Sequence, residues 1–194
     1  ANDRKGLLNL NTIARMNVID KHLENGVEFT CIDGVTIGRD VKIGVGTEIK
    51  QGSILMGDTT IGSNCVIGPN TILTDTTIGN DTILNNVQAT QSVVDNGVKI
   101  GPYVQLRPNS HICDKVKIGD FVEIKNSTIG EGTAVAHLTY IGDSDVGKHV
   151  NFGCGCVTVN YDGVAKNRCV IGDNCFIGCN TNLVAPVILG KGVY

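Results

Sequence analysis

From Val35 to the end of the chain, aliphatic side chains return at every sixth position. They stand at Ile37, Ile43, Ile49, Leu55, Ile61, Ile67 and Leu73, then after irregular steps at Ile100, Leu106, Ile112, Ile118 and Ile124, and again at Ile171, Ile177, Leu183 and Leu189. Steps of five, from Leu73 to Ile78, Ile124 to Ile129 and Ile141 to Val146, leave the rhythm intact. A period of six is neither the helical 3.6 nor the heptad, and a hairpin ladder would alternate by two. Short strands joined by tight Gly or Asn turns, taken three at a time, close a triangular coil of about 18 residues. The aliphatic residue points to the axis, the small residue two before it fits the narrow interior, and Gly or Asn supplies the turn. Coils then stack as parallel strands about 4.8 Å apart. Ahead of this solenoid, residues 6–25 carry Leu7, Leu10, Ile13, Met16, Ile19 and Leu23 at steps of three and four, which predicts one amphipathic helix closed by Asn25-Gly26.

Composition agrees with strands: the 194 residues include Gly 25, no Trp, 4% aromatics and 41% hydrophobic residues, enough for a real core. The net charge of −3 is dispersed, with no basic run to track a phosphate backbone, so nucleic acid is not the expected partner. No apolar run reaches the roughly 18 residues of a membrane span, and the first residues lack the zones of a secretion signal; a cytosolic protein is expected. Cys65, Cys156, Cys169 and Cys175 fall two residues before inward positions, where Thr, Val or Ala is otherwise expected, and read as small hydrophobes. Cys154/Cys156 and Cys175/Cys179 lack the C-x2-C spacing of common zinc sites, so no metal is expected.

Polar residues break the beat in one stretch. Arg107 and Lys125 each follow an inward residue, Leu106 and Ile124, one coil apart, and so point outward as neighbours. Two cations that close either receive an anion such as phosphate or are two solvated surface charges. One coil on, Tyr140 begins the same face, His137 occupies the corner leading into it, and Asn151 lies one coil beyond the His137 face. Five polar groups around one edge make His137 a candidate general base. After Val157 the rhythm stops, and the 13-residue step from Thr158 to Ile171 must loop out of the wall, with Asn160-Tyr161-Asp162-Gly163 reading as a specific turn.

The stretches GPYVQLRPNS, GDFVEIKNSTIGEGT, AHLTYIGDSDVG, VNFGCG and VNYDG, in this order, resemble the acetyltransferase domain of the bifunctional N-acetylglucosamine-1-phosphate uridyltransferase/glucosamine-1-phosphate acetyltransferases. The resemblance implies an all-β fold, a left-handed parallel β-helix of hexapeptide repeats preceded by one N-terminal α-helix. It implies acetyl-CoA-dependent N-acetylation of glucosamine 1-phosphate on the route to UDP-N-acetylglucosamine for cell-wall precursors. Arg107, Lys125 and Tyr140 would bind the sugar phosphate, His137 would take the amine proton, and Asn151 and Asn160 would contact the amino sugar. Cys154, Asn160, Tyr161 and Cys179 would border acetyl-CoA, Cys154 through its backbone N–H and in place of the family's usual Ala, and Cys179 in place of its usual Ser. It further implies a homotrimer with sites between subunits. Residues 1–26 would be linker and helix, with NDR at 2–4 the exit from a uridyltransferase domain that alone would use Mg2+, and 27–194 would be the β-helix domain, followed in the family by further coils. A trimerising or regulatory solenoid without catalysis is the alternative. A three-histidine zinc carbonic anhydrase ranks low, because His111, His137 and His149 do not fall on one face.

Overall fold

The computed structural model describes residues 3–194; Asn2, part of the expected domain exit, lies outside them. Helix α1 (Arg4–Glu24) opens on Asp3, whose carboxylate accepts from the Gly6 N–H, and closes at Asn25 before Gly26, at φ +79°. Its apolar stripe is only partly used. Ile19 is fully buried, whereas Leu7, Leu10 and Ile13, in the N-terminal half, and Leu23, in the last turn, remain about half exposed. Arg15 fastens that contact by donating to the carbonyls of Ile32 and Val35.

The remaining chain winds into a left-handed parallel β-helix of about nine turns. Its three walls are parallel sheets. Face I runs from strand Thr36–Ile37 to Asn182–Val184, face II from Lys42–Ile43 to Val187–Leu189, and face III from Glu48–Ile49 to Phe176–Ile177. The register pairs inward residues directly, Leu73 with Ala89, Leu106 with Ile124, and Ile124 with Ile141. The irregular steps between Leu73 and Ile100 are resolved as further inward residues, Ile78, Leu84, Ala89 and Val94, all buried. An inward Ala and three steps of five hide the period there.

Two residues before each inward position the interior takes Thr, Ser, Val or Cys, with Ser rather than the expected Ala. Their hydroxyls offset their own burial by bonding the passing backbone. Thr133 Oγ1 donates to Gly147 O (2.9 Å) and accepts from the Val150 N–H (3.0 Å). Cys65, Cys156, Cys169 and Cys175 are all buried there, as their spacing predicts.

Candidate functional site

The polar residues singled out in the sequence do not gather around one edge: they fall on the two edges of face I, with Asn151 apart at the start of a face III strand. His137 ends strand Ala134–His137 of face III, opposite Asp120, at the corner where the chain turns into face I. Ala134 pairs with Asn151 and Asn151 with Phe176, so three residues further along Cys154 and Cys179 follow His137 up the same corner. The imidazole is exposed and makes no hydrogen bond among the described residues. It opens onto a cavity of about 420 Å³ floored by Gly101, Gly119 and Ala136. At Gly119 an added Cβ would collide with the Ala136 carbonyl, so this floor accepts no side chain. Asn151 is not beside His137: it pairs with Ala134 at the opposite end of the face III strand, about 10 Å along the chain direction.

The far edge of face I carries the cations. Arg107 and Lys125 stand on adjacent coils there, and the Arg107 guanidinium folds back over the face to Glu123 Oε1 (2.9 Å). That contact, first, and the fields of Glu123 and Tyr140 hold the guanidinium firmly charged. Lys125 is pushed below the ordinary lysine value, first by Lys166, then by desolvation, with Arg107 adding to the repulsion and Asp143 opposing it. Three cations therefore share a small area, an arrangement that an anion would relieve.

Lys166 and Asp143 were not picked out from the sequence. Lys166 comes from the 13-residue excursion, which is ordered. Asp162 accepts from the N–H groups of Val164 and Ala165 (2.8 and 2.7 Å) and from the Asn167 amide (2.9 Å), and these bonds hold its carboxyl below the usual range. Asp143 is buried beneath the cations. Burial pushes its carboxyl up, but the amides of Asn126 and Asn160 and then the charges of Lys125 and Lys166 more than reverse this, leaving it below the usual range. Asn160 is thereby aimed, and its amide also reaches the Tyr140 hydroxyl at 3.4 Å. Tyr140 itself pairs with Glu123, at the start of the face, and its ring crosses toward the cation edge over Gly142, where a Cβ would collide with both the hydroxyl and the Asn160 amide. Tyr161 is exposed, its hydroxyl turned back on the Gly163 carbonyl (2.7 Å).

The cysteines sort by depth. Cys179 is exposed and Cys154 half-buried, against the four interior thiols, of which burial pushes Cys65, Cys156 and Cys169 upward. A thiol reagent is expected to label Cys179 ahead of Cys65, Cys156, Cys169 and Cys175, by mass mapping of labelled peptides. First labelling at those four would contradict the coil register.

Residues 91–126 match the family model of the bacterial transferase hexapeptide (six repeats). Over 193 residues, 100% of this chain, the sequence is 44% identical to Bifunctional protein GlmU of Clostridium kluyveri and 47% identical to that of a Geobacillus species. The chain spans 42% of the length of these relatives and matches their C-terminal part. Among solved structures, a UDP-N-acetylglucosamine acyltransferase aligns with 79% of this chain and 67% of its own at 14% identity and a TM-score of 0.41.

Proposed function

We propose that this chain, similar over its whole length to the C-terminal part of the bifunctional GlmU proteins, is a cytosolic acetyltransferase that moves the acetyl group of acetyl-CoA onto the amine of glucosamine 1-phosphate. The observation that carries the reading is the position of an unengaged imidazole, His137, across one narrow face from the Arg107, Lys125 and Lys166 cations, with Tyr140 between them. A three-residue strand spans about 10 Å, and the folded-back Arg107 brings its charge over the middle of the face. A small amine carrying a phosphate on the neighbouring carbon fits between, with its phosphate on the cations and its amine toward His137.

In this reaction the amine nitrogen forms a bond to the thioester carbonyl carbon, giving a tetrahedral intermediate whose collapse breaks the C–S bond. The proton lost by the amine passes to His137 and from there to the departing thiolate. The backbone N–H of Cys154 meets no acceptor among the described residues and lies one coil from His137, a position suited to the oxyanion of the tetrahedral intermediate. Asn160, held by Asp143, orients the sugar through the Tyr140 hydroxyl. Tyr161, at the cation edge, and Cys179, at the His137 corner, are both exposed and border the coenzyme.

The chain acts as a homotrimer with sites between subunits. We assign Asn151, which stands at the opposite end of the face III strand from the His137 corner, to the site formed with a neighbouring copy. Tyr103, Phe121 and Leu138, bulky residues at positive φ (58°, 57° and 45°), also form an exposed ridge at the His137 corner, with the first two rings stacked at 5.4 Å. Comparing acceptors tests the reading: glucosamine 1-phosphate is expected to support coenzyme-thiol release far better than unphosphorylated glucosamine. Equal rates for the two would remove the role of the cation edge.

A further inference from the structure

On face II, away from His137 and the cations, Asp95, His111 and Cys113 are the one group among the described residues that gathers three metal-ligating side chains. Their donor atoms all lie within 4.8 Å of one another. The backbone explains the gathering. His111 and Cys113 flank the inward Ile112, two residues apart, so both point outward from one strand. Asp95 follows the inward Val94, which pairs with Ile112, and this sets the carboxylate beside Cys113 on the neighbouring coil. An i, i+2 pair plus one cross-strand residue presents three donors to a single point above the sheet.

We propose that this trio is a binding site for a borderline-soft divalent transition ion, Zn2+ foremost, that clips two adjacent coils together. A thiolate, an imidazole and a carboxylate are the donor set that zinc takes in tetrahedral sites, and three protein ligands leave the fourth position for water. With bonds of about 2.0–2.3 Å, neighbouring donors in such a site sit roughly 3.3–3.6 Å apart. His111 Nε2 and Asp95 Oδ2 now stand at 2.9 Å, so this pair has to open by about half an ångström, while Cys113 Sγ lies within 4.8 Å of both. The supporting backbone is already held: the Asn96 N–H and amide donate to Asp114 Oδ1 (2.8 and 3.1 Å), tying together the residues that follow Asp95 and Cys113. All three side chains are only partly buried, which gives the ion access.

Coordination exchanges the thiol proton for the metal, so one proton is released from Cys113. Burial first, then Asp95, Asp114 and Glu131, push this thiol up, with Lys148 opposing; His111, hydrogen-bonded to Asp95, completes the groups around it. The same carboxylates that keep the free thiol protonated attract a dication, and binding weakens as pH falls and the proton competes.

Titration of the full chain with Co2+, followed by its absorption, tests the site. One Co2+ per chain with thiolate-to-cobalt charge transfer is expected, displaced by Zn2+, and lost in Cys113→Ser. His111→Gln and Asp95→Asn are each expected to weaken Co2+ at least about 10-fold, with metal-free unfolding midpoints unchanged to show that the variants fold. Zn2+ should raise the midpoint of the wild type and not that of Cys113→Ser. No charge-transfer absorption in the wild type would overturn the proposal. So would a band that survives Cys113→Ser, or one indifferent to both His111→Gln and Asp95→Asn.

Discussion

His137→Ala is expected to lower turnover by roughly 10² or more, the usual contribution of a positioned general base, while the protein folds and packs as before. The two halves of that expectation have separate physical grounds. The side chain is exposed at a corner and makes no hydrogen bond among the described residues, so its removal leaves no cavity and no orphaned partner. The interior under it is filled by Val135 and its neighbours, a core made of hydrophobic side chains. A structural histidine would have shown the reverse pattern, buried and bonded, as His22 is buried at the end of α1 with burial lowering its pKa. A variant with a near-normal rate at saturating substrates would remove His137 from the role of base.

Arg107→Ala and Lys125→Ala are each expected to weaken glucosamine 1-phosphate roughly 10- to 150-fold, with far less effect on acetyl-CoA. Lys125 should give the larger loss. Its neighbours Lys166 and Arg107 repel its ammonium and push its pKa down, a penalty that a bound phosphate reverses. Arg107 already has a partner, Glu123, and must share its guanidinium between that carboxylate and the phosphate. Lys166→Ala, on the exposed loop, is expected to act in the same direction. Equal losses for both substrates, read from separate KM or binding measurements, would point to a general defect of the face instead.

The fold was legible because one rule repeats. A side chain facing the axis of a triangular coil has little room, so the aliphatic beat and the small residue before it recur wherever the wall continues, and even Cys65 or Cys169 can be placed by phase alone. The beat is lost between Leu73 and Ile100 for an equally local reason: with Ala89 inward and steps of five on either side, neither residue size nor spacing marks the period. The site was legible by column but not by edge. Counting from Leu106 to Ile124 places Arg107 beside Lys125, as the register has it. The same counting, from Ile124 to Ile141 and from Val135 to Phe152, aligns Tyr140 with Glu123 and Asn151 with Ala134, but gathering the residues around one edge overlooks the length of a strand between Asn151 and the His137 corner. Lys166 and Asp143 were beyond such counting for different reasons. One is brought back to the wall by a loop whose path depends on the Asp162 turn, and the other is buried among amides that only the folded corner brings together.

The stacked corners also separate what each residue type can do. Along the corner that follows face III, Gly155 and Asn180 take positive φ at little cost, whereas Tyr103, Phe121 and Leu138 adopt it with bulky side chains held out to solvent. Strain and exposed apolar surface are thus retained together beside the candidate base.

The central claim is that this face couples an amine to an acetyl thioester, and one measurement tests it most directly. The chain is mixed with acetyl-CoA and glucosamine 1-phosphate, and released coenzyme thiol is counted against N-acetylated sugar phosphate identified by mass. Equal amounts of the two, formed together and only when both substrates are present, are predicted. Thiol release no faster than acetyl-CoA hydrolysis without protein, with no acetylated sugar formed, would contradict the account and leave a solenoid that only binds or assembles.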